Sequence, residues 1–205
     1  MDFHEELASK SAPRIRKAAE KIAKQNIQGH EEALLTALDS VIENSKSWQA
    51  QSKLIRAIGV TGSDASIPKL KELASSEFES TILYIDLGFA ICRLNDLLHG
   101  NLEFIKSILH GQNTLLIAGA CSASLYEKTV PSENEMLELM DAIETIDANE
   151  GQVITPRCYI AALAYLWPPA VTKSFLELCL ESNWNGLVEI AESSINGEKP
   201  KYVLV

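Results

Sequence analysis

Two histidine–glutamate pairs, His4-Glu5 and His30-Glu31, are the first residues of this chain whose types suit a metal ion. An imidazole beside a carboxylate begins many ligand sets, but a site needs several such groups converging. His99 and His110 are each followed by glycine rather than by an acid. The expectation is therefore no metal and no cofactor, with Glu31 and Glu32 acting as favourable charges at a helix start. Cys92, Cys121, Cys158 and Cys179 form no C-x-x-C pair, and each sits in an apolar helical pattern. They read as small buried thiols in a reducing compartment rather than as zinc ligands or disulfides. The sequence carries no G-x-S-x-G, phosphate-binding glycine loop or cysteine–histidine arrangement, so no catalytic residue is expected. Asp86, inside LYIDLGFAIC, is the carboxylate that most needs an explanation. Buried without a partner it would shift its pKa or cost several kcal/mol. The expectation is that it faces solvent or pairs with Arg56 or Arg93.

The strongest surface signal is SENEMLELMDAIETIDANEG. Between Glu133 and Glu150 it holds seven acids and no base: Glu133, Glu135, Glu138, Asp141, Glu144, Asp147 and Glu150. Methionine, leucine and isoleucine at its other positions tie it to a core. Like charges along a helix destabilise it mildly, and a basic partner is the simplest reason to retain them. The residues Glu133, Glu135, Glu138, Asp141, Glu144 and Asp147 are the expected partner-binding set. At the other end Lys10, Arg14, Arg16, Lys17, Lys21 and Lys24 form a basic helix face, read as a solvated end or a contact with an acidic partner or another copy.

Composition agrees with this division. The net charge is -10 over 205 residues. Residues 1–100 carry 12 bases and 14 acids, and residues 101–205 carry 6 and 14. A general nucleic-acid binder needs a basic surface that displaces counterions, so that function class is disfavoured. MDFHEELASK lacks the order of a signal peptide, and no apolar run approaches the roughly 20 residues that span a bilayer. No membrane association and a cytoplasmic location are expected.

Helical periodicity must position these residues. Leu34, Leu35, Leu38, Val41 and Ile42 make one apolar stripe, and Met136, Leu139, Met140 and Ile143 make another. The spacing predicts helices over about 12–25, 31–44, 48–59, 66–75, 80–95, 101–110, 114–127, 133–147, 156–167, 170–181 and 184–194. Gly29, and Gly59 with Gly62, read as helix ends. Thr155-Pro156 reads as a capped start, and Ser132 with Glu135 has the capping-box spacing. Small residues recur between larger apolar ones in LIRAIG (54–59), GFAICRL (88–94), GACSASL (119–125) and IAALAYL (160–166). Small side chains let neighbouring helices approach closely.

The stretch RAIGVTGSDASIPKLKELA, Arg56 to Ala74, resembles a HEAT-type repeat: a small-residue helix end, a short Gly/Asp link and a proline-led second helix. The resemblance extends over about residues 12–182. It implies an all-α fold, a right-handed α-α superhelix of about five HEAT-like hairpins plus a C-terminal helix. One such domain would span 1–205, with loose termini over 1–11 and 196–205. The resemblance also implies a surface that grips another macromolecule. HEAT-like hydroxylases use several His-Glu pairs for iron, but two pairs do not match that pattern. HEAT-like DNA glycosylases use an acid and aromatics in a basic cleft; Asp86 with Tyr84 and Trp48 would be the counterpart, against the acidic balance. The favoured expectation is an immunity-type inhibitor that binds a basic toxin or nuclease. An assembly scaffold or adaptor, binding through apolar surface, is the alternative. Trp48, Trp167 and Trp184 are expected in packing, and KPKYVLV as a free end.

Overall fold

A computed structural model describes residues 2–146 and 155–201. All regular structure among them is helical, in twelve α-helices joined by short links and 3-10 turns. In chain order these are α1 (Phe3–Leu7), α2 (Ala12–Gln25), α3 (Glu31–Val41), α4 (Trp48–Thr61), α5 (Ile67–Ala74) and α6 (Ile82–Asn95). Then follow α7 (Glu103–Ile108), α8 (Thr114–Glu127), α9 (Glu133–Ile146), α10 (Pro156–Leu163), α11 (Pro169–Leu180) and α12 (Asn185–Ile195). None is long and apolar enough to cross a membrane among the described residues.

The even-numbered helices form a row. α2 packs on α4, α4 on α6, α6 on α8, α8 on α10 and α10 on α12. The odd-numbered helices lie against the row, α3 on α4, α5 on α6, α7 on α8, α9 on α10 and α11 on α12. This pairing is offset by one helix from the unit read in Arg56–Ala74. α4 and α5 are joined through the turn Asp64–Ser66, but each packs mainly on another neighbour. α12, at the end of the row, packs on both α10 and α11.

The middle of the row is buried nearly all round. Leu87 to Cys92 in α6 and Ile117 to Leu125 in α8 are unbroken buried runs. Their apolar circumference is covered within the chain, because each helix has a row neighbour on both sides and an odd helix above it. Glycines set the spacing. A Cβ on Gly88 would stand 2.0 Å from the Leu116 carbonyl oxygen, and one on Gly119 would stand 2.1 Å from that of Ile85. A Cβ on Gly59 would stand 2.7 Å from Ala90. Gly59 therefore lies inside α4 as a contact residue, correcting its reading as a helix end. The end after α2 is made by Asn26 in the left-handed region, φ 50, with Gly29 further along the link.

Polar side chains fix the links. Gln51, 1% exposed, donates to the carbonyls of Val41, Ile42 and Asn44 at 2.7, 3.0 and 2.9 Å and so closes the end of α3. Asp96 is fully buried, and its carboxylate accepts from the amides of Phe104 and Ile105 at the start of α7, at 2.9 and 3.1 Å. The N-terminal segment, expected loose over 1–11, holds α1: Asp2 caps it at 3.0 Å to the His4 amide, and Leu7 is buried. At the other end Pro200 is buried, and Tyr202–Val205 lie outside the described residues.

Gly88→Ala tests the close approach. In an unobstructed helix the change stabilises by about 0.5–1 kcal/mol. Here it should destabilise by about 3 kcal/mol, measured by urea unfolding. Gly100→Ala, at φ 71 with nothing within 4 Å of a new Cβ, should lose only about 1 kcal/mol. Equal losses would contradict the packing described.

Candidate protein-binding surface

Helix α9 carries the acidic segment. Met136, Leu139, Met140 and Ile143 are buried and fix its rotation. Glu133, Leu137, Glu138 and Asp141 are exposed, and Glu135 and Glu144 are half-buried. The capping pair forms in part: the Ser132 amide and hydroxyl both donate to Glu135, at 3.1 and 2.8 Å. Those two bonds, and then Lys106, hold the Glu135 carboxyl below its usual range.

The face is not free of bases, as it reads in the sequence. Lys106 of α7 places its ammonium 3.1 Å from Glu135 and 3.2 Å from Glu138. Hydrogen bonds to Glu135 and Glu138 raise the lysine's pKa. Asp96 therefore acts at a distance: its carboxylate holds the start of α7, and α7 aims Lys106 at α9. What remains unneutralised is narrower. Glu133, Leu137, Asp141 and Glu144 fall within about 80° around the helix axis. Among the described residues no base is within ion-pair distance of these three carboxylates, and Arg157 donates to the backbone carbonyl of Glu144 at 3.4 Å. Asp147 and Glu150 lie outside the described residues.

Asp86 is placed differently from a cleft acid. Its Oδ1 is 4.0 Å from the Arg56 guanidinium, with side chains 14% and 18% exposed. Burial raises the Asp86 carboxyl, opposed by a hydrogen bond from Ser52 and by the charges of Arg56 and Lys53. Burial likewise lowers the Arg56 pKa, with Asp86 opposing. The guanidinium lies 3.3 Å from the centroid of Phe89. Phe89 meets Tyr126 edge-on at 5.4 Å, and Arg93 stands 5.7 Å from the Tyr126 ring. Arg93 also donates to the Gly59 and Val60 carbonyls at 2.8 and 2.9 Å and pairs with Glu127. Two rings in contact are thus flanked by two cations across α4, α6 and α8, each such contact adding of order 1 kcal/mol. Tyr159 of α10 extends the group, its hydroxyl pushed up to about 12 by burial.

Tyr84 and Trp48 do not complete a site around Asp86. The Tyr84 hydroxyl donates to the Ser76 carbonyl at 2.7 Å, and its ring meets Phe78. Trp48 opens α4, eight residues before Arg56 and so roughly 12 Å along the axis. Asp86 pairs with Arg56, while Arg93 is engaged with Glu127. The sequence shows the i, i+4 spacing of Phe89 and Arg93 but not the helices that face them.

The His-Glu pairs are used locally. The His4 and His30 rings meet in a tilted contact at 4.8 Å, with Phe3 at 5.3 Å from His30. Glu5 lies 3.7 Å from Arg14. Glu31 accepts from the Ser63 amide at 2.9 Å and from the Ser63 and Ser66 hydroxyls, joining the start of α3 to the link before α5. On the basic face, Arg14 pairs with Glu6 at 2.8 Å, Arg16 donates to Gln49, and Lys21 sits over Phe3. All four cysteines are buried. Trp167 is buried and donates to the Thr129 carbonyl at 2.9 Å.

Glu31 gives a pH-dependent expectation. Burial would raise its pKa, but the hydrogen bonds from Ser66 and Ser63 hold it below the usual value. A carboxyl lowered by folding stabilises the fold above its unfolded pKa and loses that contribution as pH falls through the folded value. Glu31→Gln should cost about 1 kcal/mol at neutral pH, a modest figure because the site is partly exposed. The gap from the unmodified chain should close as urea unfolding is repeated at decreasing acidic pH. A gap that widened on acidification would contradict the assignment.

No family model matches this chain, and no curated protein or solved structure matches it either.

Proposed function

We propose that the chain is a non-catalytic protein-binding domain of the HEAT-like kind, a right-handed superhelix of about five hairpins. The ordered row of even helices, each with an odd helix against it, supports that reading. So does the unit Arg56–Ala74, although its helix pairing is offset. The partner-binding set is the acidic side of α9, and its most specific role is inhibition of a basic toxin or nuclease in the immunity-type manner. The observation that carries this is the strip Glu133, Leu137, Asp141 and Glu144, in which three acids surround an exposed leucine 45% accessible to solvent. Charge of this kind accelerates encounter, and an apolar side chain at its centre gives a desolvated contact. Glu135 and Glu138, already held by Lys106, are peripheral to it.

The scaffold reading draws on exposed Leu98, Val130, Leu178 and Leu180. Salt separates the two. Association with a basic nuclease domain, followed by stopped-flow or surface binding, should slow about tenfold between about 50 and 500 mM salt. Glu133→Lys with Asp141→Lys should lower the association rate by a similar factor and leave the fold intact. Binding that salt and charge reversal both leave unchanged would remove the inhibitor reading and favour the scaffold.

A further inference from the structure

A group of positive charge with no carboxylate partner among the described residues lies where α8 ends. Lys128, with Lys199 and Lys201 of the C-terminal segment, lines a pocket of about 390 Å³ together with Tyr126 and Tyr165. Its floor is apolar, from Leu125, Ala162 and buried Pro200. The three lysines are exposed, and none has a carboxylate within ion-pair distance among the described residues. Glu127, next to Lys128, is held by Arg93; Glu198, next to Lys199, is exposed. Three cations on one pocket are unexpected in a chain of net charge -10. Tyr126 is 41% exposed, and its ring is backed by Phe89 on one side and Arg93 on another. That leaves a firmly held aromatic surface at the rim. Lys128 itself occupies a left-handed backbone conformation, φ 55, as the cap of α8. Glycine is favoured there, so the lysine is held against the local backbone preference.

We propose that this pocket binds a small phosphorylated ligand bearing a planar ring, the nucleotide class. Ammonium groups recognise phosphate as compact point charges, whereas planar carboxylates are better matched by an arginine fork, which this pocket does not use. Several lysines around one cavity suit a ligand with several phosphate oxygens. A tyrosine face supplies the stacking surface for the ring. The volume is within the range of small-molecule sites. This assignment does not depend on the protein-binding role of α9, which lies on other residues.

Calorimetric titration of the full chain with ADP, pyrophosphate and adenosine tests it. ADP should bind most tightly, with pyrophosphate about tenfold weaker and adenosine weaker still. Lys199→Gln with Lys201→Gln should weaken ADP at least about tenfold, and Lys128→Gly should do the same. Because glycine suits the left-handed position, Lys128→Gly should leave the unfolding temperature unchanged or higher. Absence of both ADP and pyrophosphate binding at about 1 mM would overturn the proposal. So would ADP binding that both lysine changes leave intact, or adenosine binding as tightly as ADP. Pyrophosphate binding as tightly as ADP would remove the ring from the assignment.

Discussion

The closeness of α6 and α8 is the constraint from which the rest of the structure follows. Gly88 faces the Leu116 carbonyl and Gly119 faces the Ile85 carbonyl, so each helix presents a missing side chain to the other's backbone. The glycine hydrogens that replace a Cβ then point at carbonyl oxygens, a weakly attractive arrangement. Two helices at that distance cannot slide without driving a side chain into a backbone, which fixes their register as well as their separation. Gly59 against Ala90 repeats the device less tightly between α4 and α6. The central helices are consequently buried all round, and chemistry can be displayed only on the outer helices, at helix ends and along the edge where Tyr126 emerges.

That arrangement explains how surface groups so distant in sequence come to act together. α7 is only six residues long and would be marginal alone. It is held because Asp96, at the end of α6, satisfies its first amides from within the core. A buried carboxylate receiving several amide hydrogen bonds is well compensated. α7 then positions Lys106, and Lys106 neutralises one edge of α9 while leaving the other. The same row of helices brings Arg56, Phe89, Tyr126 and Arg93 into one continuous series. Its charges are satisfied internally by Asp86, Glu127 and backbone carbonyls, which marks that series as a brace between layers. Beyond Tyr126 the lysines of the pocket have no carboxylate partner among the described residues.

Much of the helical pattern was legible in the residues. Ala12–Gln25 and Thr114–Glu127 match the expected bounds, because apolar periodicity and capping residues agree there. α1 was missed: five residues carry too little periodicity, and its evidence is the contact of Leu7 and Phe3 with later helices. Gly59 was misread because glycine has two uses, ending a helix or admitting a neighbour, and only the facing residue Ala90 distinguishes them. The pairing of helices was offset by one because loop length shows which helices are consecutive, not which bury more surface together. The acidic side of α9 was visible in sequence. Its partial neutralisation was not, since Lys106 lies 29 residues before Glu135. The lysine–tyrosine pocket left no local trace either, its residues being spread from 125 to 201.

Native-state hydrogen exchange, resolved by residue, tests the central role of the α6–α8 contact most directly. If that contact anchors the row, the amides of Leu87–Cys92 and Ile117–Leu125 exchange slowest, at the rate of global unfolding, and protection declines outward toward α2 and α12. Slowest exchange in α2 or α12, or α6 and α8 opening independently of one another, would contradict it.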